Sequence, residues 1–232
     1  MLRVRPAIAL LVVMCSILLV FSIRDLAASV RFGRVMQLAR HLETGSPVSR
    51  GTVTGLAEVA DEVVSWGYCR ADIVRAGLTV KFAELDQRNS YHDYDAWAGA
   101  LAATENYLRH AIGCRPTDGN LWLRFAMVRR AVAEQPTEIA FLMQQSVYYA
   151  PAEQGVLVGR FAVWNDAAAT TLQAARSALE TDLATVLRYG ELPLIRQILR
   201  KPGERLQPLV DAAVSSLSTE RRAVLAGAKI GL

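Results

Sequence analysis

The pattern of apolar and polar positions separates the chain into two unlike parts. Ala7 to Ile23 is an apolar run, with Ser16 and Ser22 inside it, that has no charge, glycine or proline, and Arg3 and Arg5 precede it. Its 17 residues would span about 25 Å as a helix, slightly short of a bilayer core but within the range of spanning helices. A cleavable signal peptide would have a shorter apolar stretch and small residues at its end. Here Arg24-Asp25 follows the run directly, which favours a retained anchor. The arginines before it favour a cytoplasmic N-terminus and, for the rest of the chain, the far side of the membrane. Arg24, Arg31 and Arg34 weaken that bias.

Beyond the anchor the apolar positions recur with helical spacing. Leu26, Val30, Val35, Leu38 and Leu42 predict that the anchor helix continues to Thr44-Gly45-Ser46-Pro47. Leu56, Val59, Ala60, Val63 and Val64 predict a second helix over 53–65. Ile73, Val74, Leu78, Phe82 and Leu85 predict a third over 71–86. The polar stretch 87–93 reads as a loop, with Asp93 or Asp95 capping a fourth helix through about Ile112. That helix turns Trp97, Leu101, Tyr107, Leu108 and Ala111 inward. Pro116-Thr117-Asp118-Gly119 precedes a fifth helix over 121–133, and Gln135-Pro136-Thr137 opens a sixth ending near Tyr149. Pro151 is expected to start a seventh, with Glu153 in its first turn. That pattern runs to Tyr189 with a break near Asn165-Asp166, and two or three shorter helices follow Gly190. No segment alternates as a strand would. The reading is all-α: cytoplasmic residues 1–6, anchor 7–23, helical extension and linker 24–50, a helical-hairpin domain over 51–225 and a frayed tail 226–232.

Within that domain two stretches resemble each other. Cys114-Arg115-Pro116-Thr117-Asp118 precedes Arg124-Phe125-Ala126, and Tyr149-Ala150-Pro151-Ala152-Glu153 precedes Arg160-Phe161-Ala162. The prolines are 35 residues apart and the triplets 36, near the period of about 34 in tetratricopeptide repeats. Trp122, Phe125 and Ala126 match the opening of that signature in kind. Ala140 falls out of phase, and Arg129 stands where an aromatic is expected. The expected architecture is a tetratricopeptide-like stack of helical hairpins, each with an apolar side that its neighbour covers. The alternative is an irregular bundle with two similar turns.

The runs PTDGNLWLRFA and QQSVYYAPAEQGVLVGRFAVW resemble a group of small bacterial proteins that are membrane-anchored and helical. Genes for that group lie beside exopolysaccharide or O-antigen polymerase and ligase genes. The likeness rests on the Pro116–Trp122 turn, the turn from Ser146 to Glu153 and Arg160. It implies an accessory role in surface-polysaccharide assembly, with a membrane or periplasmic protein, such as a polymerase or ligase, as partner.

Composition adds exclusions more than chemistry. A net charge of +4 in 232 residues, spread without runs of like charge, gives no nucleic-acid footprint. Of the three cysteines, Cys15 lies within the anchor. Cys69 and Cys114 form the one possible pair outside it in an oxidising compartment, closing a loop worth about 3–4 kcal/mol in the chain-entropy model. Two unpaired buried thiols are the alternative. His110, four residues before Cys114, and His92 would be further metal ligands, but no CxxC or HxxxH is present, and no metal site or cofactor is expected. Ser90-Tyr91-His92-Asp93-Tyr94-Asp95 reads as caps and solvation ahead of acid–base chemistry. Asp61-Glu62 is expected on a solvated face. No phosphate loop or nucleophile elbow is present.

The expected function is therefore non-enzymatic. The chain would hold to membrane lipid through residues 7–23 and present a scaffold to a protein partner, with Trp122, Pro116, Pro151, Glu153 and Arg160 as interface or structural residues. A glycan-binding or glycan-modifying periplasmic protein is the competing expectation and would require Trp66, Trp97 and Trp122 to line a groove. A third is a structural subunit of a larger complex, for which Ala9 and Ser16 give the anchor only a short stripe of small residues.

Overall fold

The computed structural model describes residues 4–227, and among these all regular structure is helical. Residues 1–3 of the expected cytoplasmic segment and 228–232 of the expected frayed tail lie outside the described residues. The chain forms two compact units, Met1–Ala103 and Thr104–Leu232, so a boundary crosses the domain expected over 51–225.

The first unit is built on α1 (Val4–Glu43), a single helix of 40 residues. It is long and apolar enough to cross a membrane, and none of its most apolar stretch is buried. It ends where the sequence predicts. Gly45 takes a φ of 70°, the left-handed geometry glycine adopts without steric cost. The amides of Gly45 and Ser46 donate to the carbonyls of Leu42 and His41, which closes the helix in a Schellman motif. The buried stripe differs from the expected one. Ala28, Phe32, Val35, Leu38 and Ala39 face inward, whereas Leu26 is 65% and Val30 74% exposed. Leu26 and Val30 lie one turn apart on an exposed side of α1.

Two further helices cover the stripe. α2 (Arg50–Ser65) is capped by the Ser49 side chain, which accepts from the Thr52 amide. It buries Val53, Ala57, Ala60 and Val63 and leaves the expected Leu56, Val59 and Val64 at the margins. It runs antiparallel to α1: Glu62 pairs with Arg31, while Ser49, Thr52 and Leu56 share a groove with Arg34, Gln37 and His41. α3 (Ala71–Asp86) has the predicted bounds and packs on both α1 and α2. Asp93 caps α4 (Tyr94–Cys114), its Oδ1 accepting from the Ala96 amide at 3.1 Å. The polar stretch before α4 thus works as a cap, with His92 exposed.

The second unit contains the end of α4, then α5 (Gly119–Val132) and α6 (Pro136–Tyr149), which form a helical hairpin. α7 (Gln154–Asp166) packs on α5, and α8 (Ala169–Ala174) on α6. α9 (Arg176–Tyr189) packs on α6 and α8. α10 (Leu192–Leu199), α11 (Gln207–Ser215) and α12 (Thr219–Gly227) complete the unit. The expected break at Asn165-Asp166 is where α7 ends, and a second break at Ala175 separates α8 from α9. Glu153 is the residue before α7, not within its first turn, and its side chain makes no capping bond. Pro151 therefore lies in the turn, three residues before the helix.

The hairpin closes through a glycine. A Cβ built on Gly119 would lie 2.8 Å from both the Ala150 amide nitrogen and the Ser146 carbonyl oxygen. Neither backbone atom can rotate away. Gly119→Ala is expected to destabilise the protein by about 1–3 kcal/mol, as overpacking does, with a lower urea midpoint at unchanged slope. An unchanged midpoint would mean that the hairpin opens at no cost.

Candidate functional site

Two features stand out in the second unit, one sealed and one exposed. The sealed feature is built on Arg160 of α7, which the sequence offered as an interface or structural residue. Its side chain and that of Asp182 on α9 are both fully buried. Arg160 Nε donates to Asp182 Oδ2 at 2.8 Å and Nη2 to Oδ1 at 2.8 Å, a bidentate fork. Nη1 donates to the carbonyls of Ser146 and Ala150 at 3.2 and 3.0 Å and to Ser146 Oγ at 3.2 Å. Trp164 Nε1 donates to Asp182 Oδ2 at 2.9 Å. Burial pushes the Asp182 carboxyl up, while the bonds from Arg160 and Trp164 oppose the shift.

This cluster joins the C-terminal end of α6 to α7 and α9. Every nitrogen of the guanidinium is engaged and no part of it meets solvent, so it has nothing to offer a ligand. Arg160 is a structural residue. Asp182 escaped the sequence reading although a signal was present. It falls on the stripe of Ala178, Leu179, Leu183 and Val186, where a carboxylate needs a buried partner.

A second buried charge went unread in the first unit. Lys81 is almost fully enclosed, and its Nζ donates to Asp61 Oδ2 at 3.2 Å and Glu84 Oε2 at 3.1 Å. Glu62 is bound by Arg31 of α1. Asp61 and Glu62, expected to be merely solvated, thus connect α2 to α3 and α1. Arg129, at the position where a repeat would carry an aromatic, bridges Glu138 of α6 at 2.8 Å and Glu105 of α4 at 3.2 Å. An ion-pair bridge here joins helices that an aromatic side chain would have joined by packing.

These pairs set the acid response. The hydrogen bond from Arg31 holds Glu62 below the ordinary carboxylate range, and that from Arg70 does the same for Asp72. Burial alone would raise Glu105, but Arg109 and Arg129 outweigh it and hold it low. A carboxyl depressed in the folded state contributes stability above its unfolded pKa of about 4, which is lost as pH falls through the folded value. Asp182, being raised, has the opposite sign, so the variant comparison is the informative one. Urea midpoints of Glu105→Gln are expected to fall less steeply below about pH 4.5 than those of the wild type. Parallel acid limbs would show that Glu105 is not depressed.

The exposed feature lies on α6. Phe141 and Tyr148, two turns apart on one face, are 56% and 72% exposed. Trp122 of α5 meets Phe141 edge-on at 6.0 Å between ring centroids. Its indole Nε1 donates to the Pro116 carbonyl at 2.7 Å, so Pro116 serves by fixing the tryptophan. Tyr149 stacks edge-on against Tyr148 at 4.9 Å. The result is a ridge of two exposed rings, Phe141 and Tyr148, each braced by one aromatic neighbour.

Cys69 is in the turn before α3, in the first unit. Cys114 ends α4, in the second, with its Sγ 3.5 Å from His110 Nε2. Cys15 is a free thiol in the anchor. Trp66 is exposed, and Trp97 and Trp122 are half-buried. None of the three lines the groove between α1 and α2 or the one between α9 and α11. That second groove, about 270 Å³, has a leucine-rich lining that includes Leu179, Leu183, Leu187 and Leu209.

No protein-family model, curated protein or solved structure matches this chain.

Proposed function

We propose that the chain is a single-pass protein of the bacterial inner membrane whose helical part is a non-enzymatic platform for a protein partner. The N-terminus is cytoplasmic and the units beyond the span are periplasmic. The observation that carries the reading is the exposed ridge of Phe141 and Tyr148, with the half-buried Trp122 against Phe141. Aromatic side chains that are rigidly supported and left in water are the kind that dominate binding energy at interfaces. The hairpin formed by α5 and α6, with α7 and α8 laid against it, supports a tetratricopeptide-like platform. The resemblance of the stretch from Pro116 to Trp164 points to surface-polysaccharide polymerisation or export as its setting.

The test uses the full-length chain and a Phe141→Ala, Tyr148→Ala double variant, purified from mildly solubilised membranes and compared by quantitative mass spectrometry. Both side chains are exposed, so helical circular dichroism should not change. One membrane or periplasmic protein is expected to co-purify with the wild type and to fall at least about tenfold with the variant, the effect of losing about 1.4 kcal/mol. Equal recovery of every co-purifying protein would remove the ridge as a docking surface.

A further inference from the structure

We infer that the turn at residues 66–70 is a second membrane contact, in which Trp66 sits in the headgroup layer of the bilayer that α1 crosses. The inference rests on the reading of α1 as a membrane span. It implies that the first unit rests on the membrane and is not held away from it on a bare helical stalk.

The depth follows from helix geometry. Ala7–Ile23 covers about 25 Å of a hydrocarbon core of about 30 Å, and one further turn supplies the difference. That turn contains Leu26, whose side chain is largely exposed and therefore suited to lipid, and the charged Arg24 and Asp25, which lie at the edge of the core. Ser29 is then within about 5 Å of the core boundary, and Phe32 about 9 Å beyond it, at 1.5 Å per residue.

The turn is fixed at this level by hydrogen bonds. Arg70 Nη1 donates to Asp25 Oδ1 at 2.8 Å, to the Asp25 carbonyl at 3.3 Å and to Ser29 Oγ at 2.7 Å. The Trp66 ring lies against Phe32 at 6.4 Å between centroids and against Tyr68 at 5.9 Å. Side chains on α1 lean toward its N-terminus, which here is toward the membrane. Because α2 is antiparallel to α1, its C-terminal end is the end that returns to the bilayer. Gly67, with φ of 65°, then turns the chain into α3, which leads away again.

The chemistry of the turn matches that level. Trp66 is 58% exposed although it has two aromatic neighbours. An amphipathic indole left in water at the height of the headgroups is in the layer where tryptophan and tyrosine concentrate in membrane proteins. Asp25, an unfavourable charge at that depth, is paired with Arg70. Arg24 beside it is free to reach lipid phosphate by extending its side chain.

The experiment uses the full-length chain in phosphatidylcholine vesicles carrying a nitroxide on the headgroup, with vesicle flotation after an alkaline wash as the check on insertion. Tryptophan emission is compared for wild type, Trp66→Phe and Trp97→Phe. Nitroxide lipid is expected to quench Trp97→Phe at least as strongly as the wild type, because an unquenched emitter is removed, and Trp66→Phe several-fold less. Equal fractional quenching of Trp66→Phe and wild type in floating vesicles would overturn the contact while leaving the span intact. Failure to float would instead remove the span and the contact together. A second readout needs no substitution. Trp66 is more exposed than Trp97 in the protein itself, yet in vesicles hydroxyl radicals should oxidise it several-fold more slowly. Faster oxidation of Trp66 would contradict the inference.

Discussion

Asp182→Ala is expected to be among the most destabilising single substitutions in the chain, costing about 3–5 kcal/mol, as removal of one member of a buried ion pair does. The reason lies less in the lost attraction than in what remains. Arg160 would be a fully buried cation with only the Ser146 and Ala150 contacts, and Trp164 Nε1 would lose its acceptor. Replacing both partners, as Arg160→Met with Asp182→Leu, should recover most of the loss, because neither leaves a charge without a partner. Urea unfolding followed by circular dichroism measures both. A double variant no more stable than Asp182→Ala would show that the side chains hold the helices by geometry and not by charge balance.

An asymmetry of the same origin is expected at Lys81 in the first unit. Glu84→Ala leaves the enclosed ammonium with Asp61, whose side chain is half exposed, and is expected to cost about 3 kcal/mol. Lys81→Met keeps the length and apolar stem of the residue and removes the buried charge. It should cost clearly less than Glu84→Ala, since Asp61 is half exposed and the buried Glu84 keeps Arg88 at 3.6 Å. Equal losses from the two substitutions would mean that the ion pair itself supplies the stability.

Much of the fold was legible because it depends on local rules. The bounds of α3, the end of α1 at Glu43 and the Asp93 cap follow from helical periodicity and turn chemistry, which a short window of sequence contains. The buried stripes of α1 and α2 were rotated from the expected ones because an apolar residue can face lipid, a neighbouring helix or solvent. Leu26 and Val30 read as core by composition, yet they lie on an exposed side of α1. The charged pairs were the least legible. Arg160 was singled out, but its partner lies 22 residues away on a helix whose position only the packing determines. Lys81 and Arg129 were likewise invisible as tertiary links, because periodicity says which face a residue occupies and not which helix meets it.

Ala28, Phe32, Val35 and Ala39 are core residues of the first unit, so removing residues 1–45 would remove part of that core along with the anchor. A soluble form must retain the helix from about residue 24.

The topology of α1 underlies both the partner and the contact proposed for Trp66, and protease treatment of spheroplasts followed by an alkaline membrane wash tests it in one measurement. The account predicts that the full-length chain stays in the washed membrane pellet and that protease added outside removes the part beyond residue 24. A chain released by the wash, or one fully protected until the membrane is opened, would contradict it.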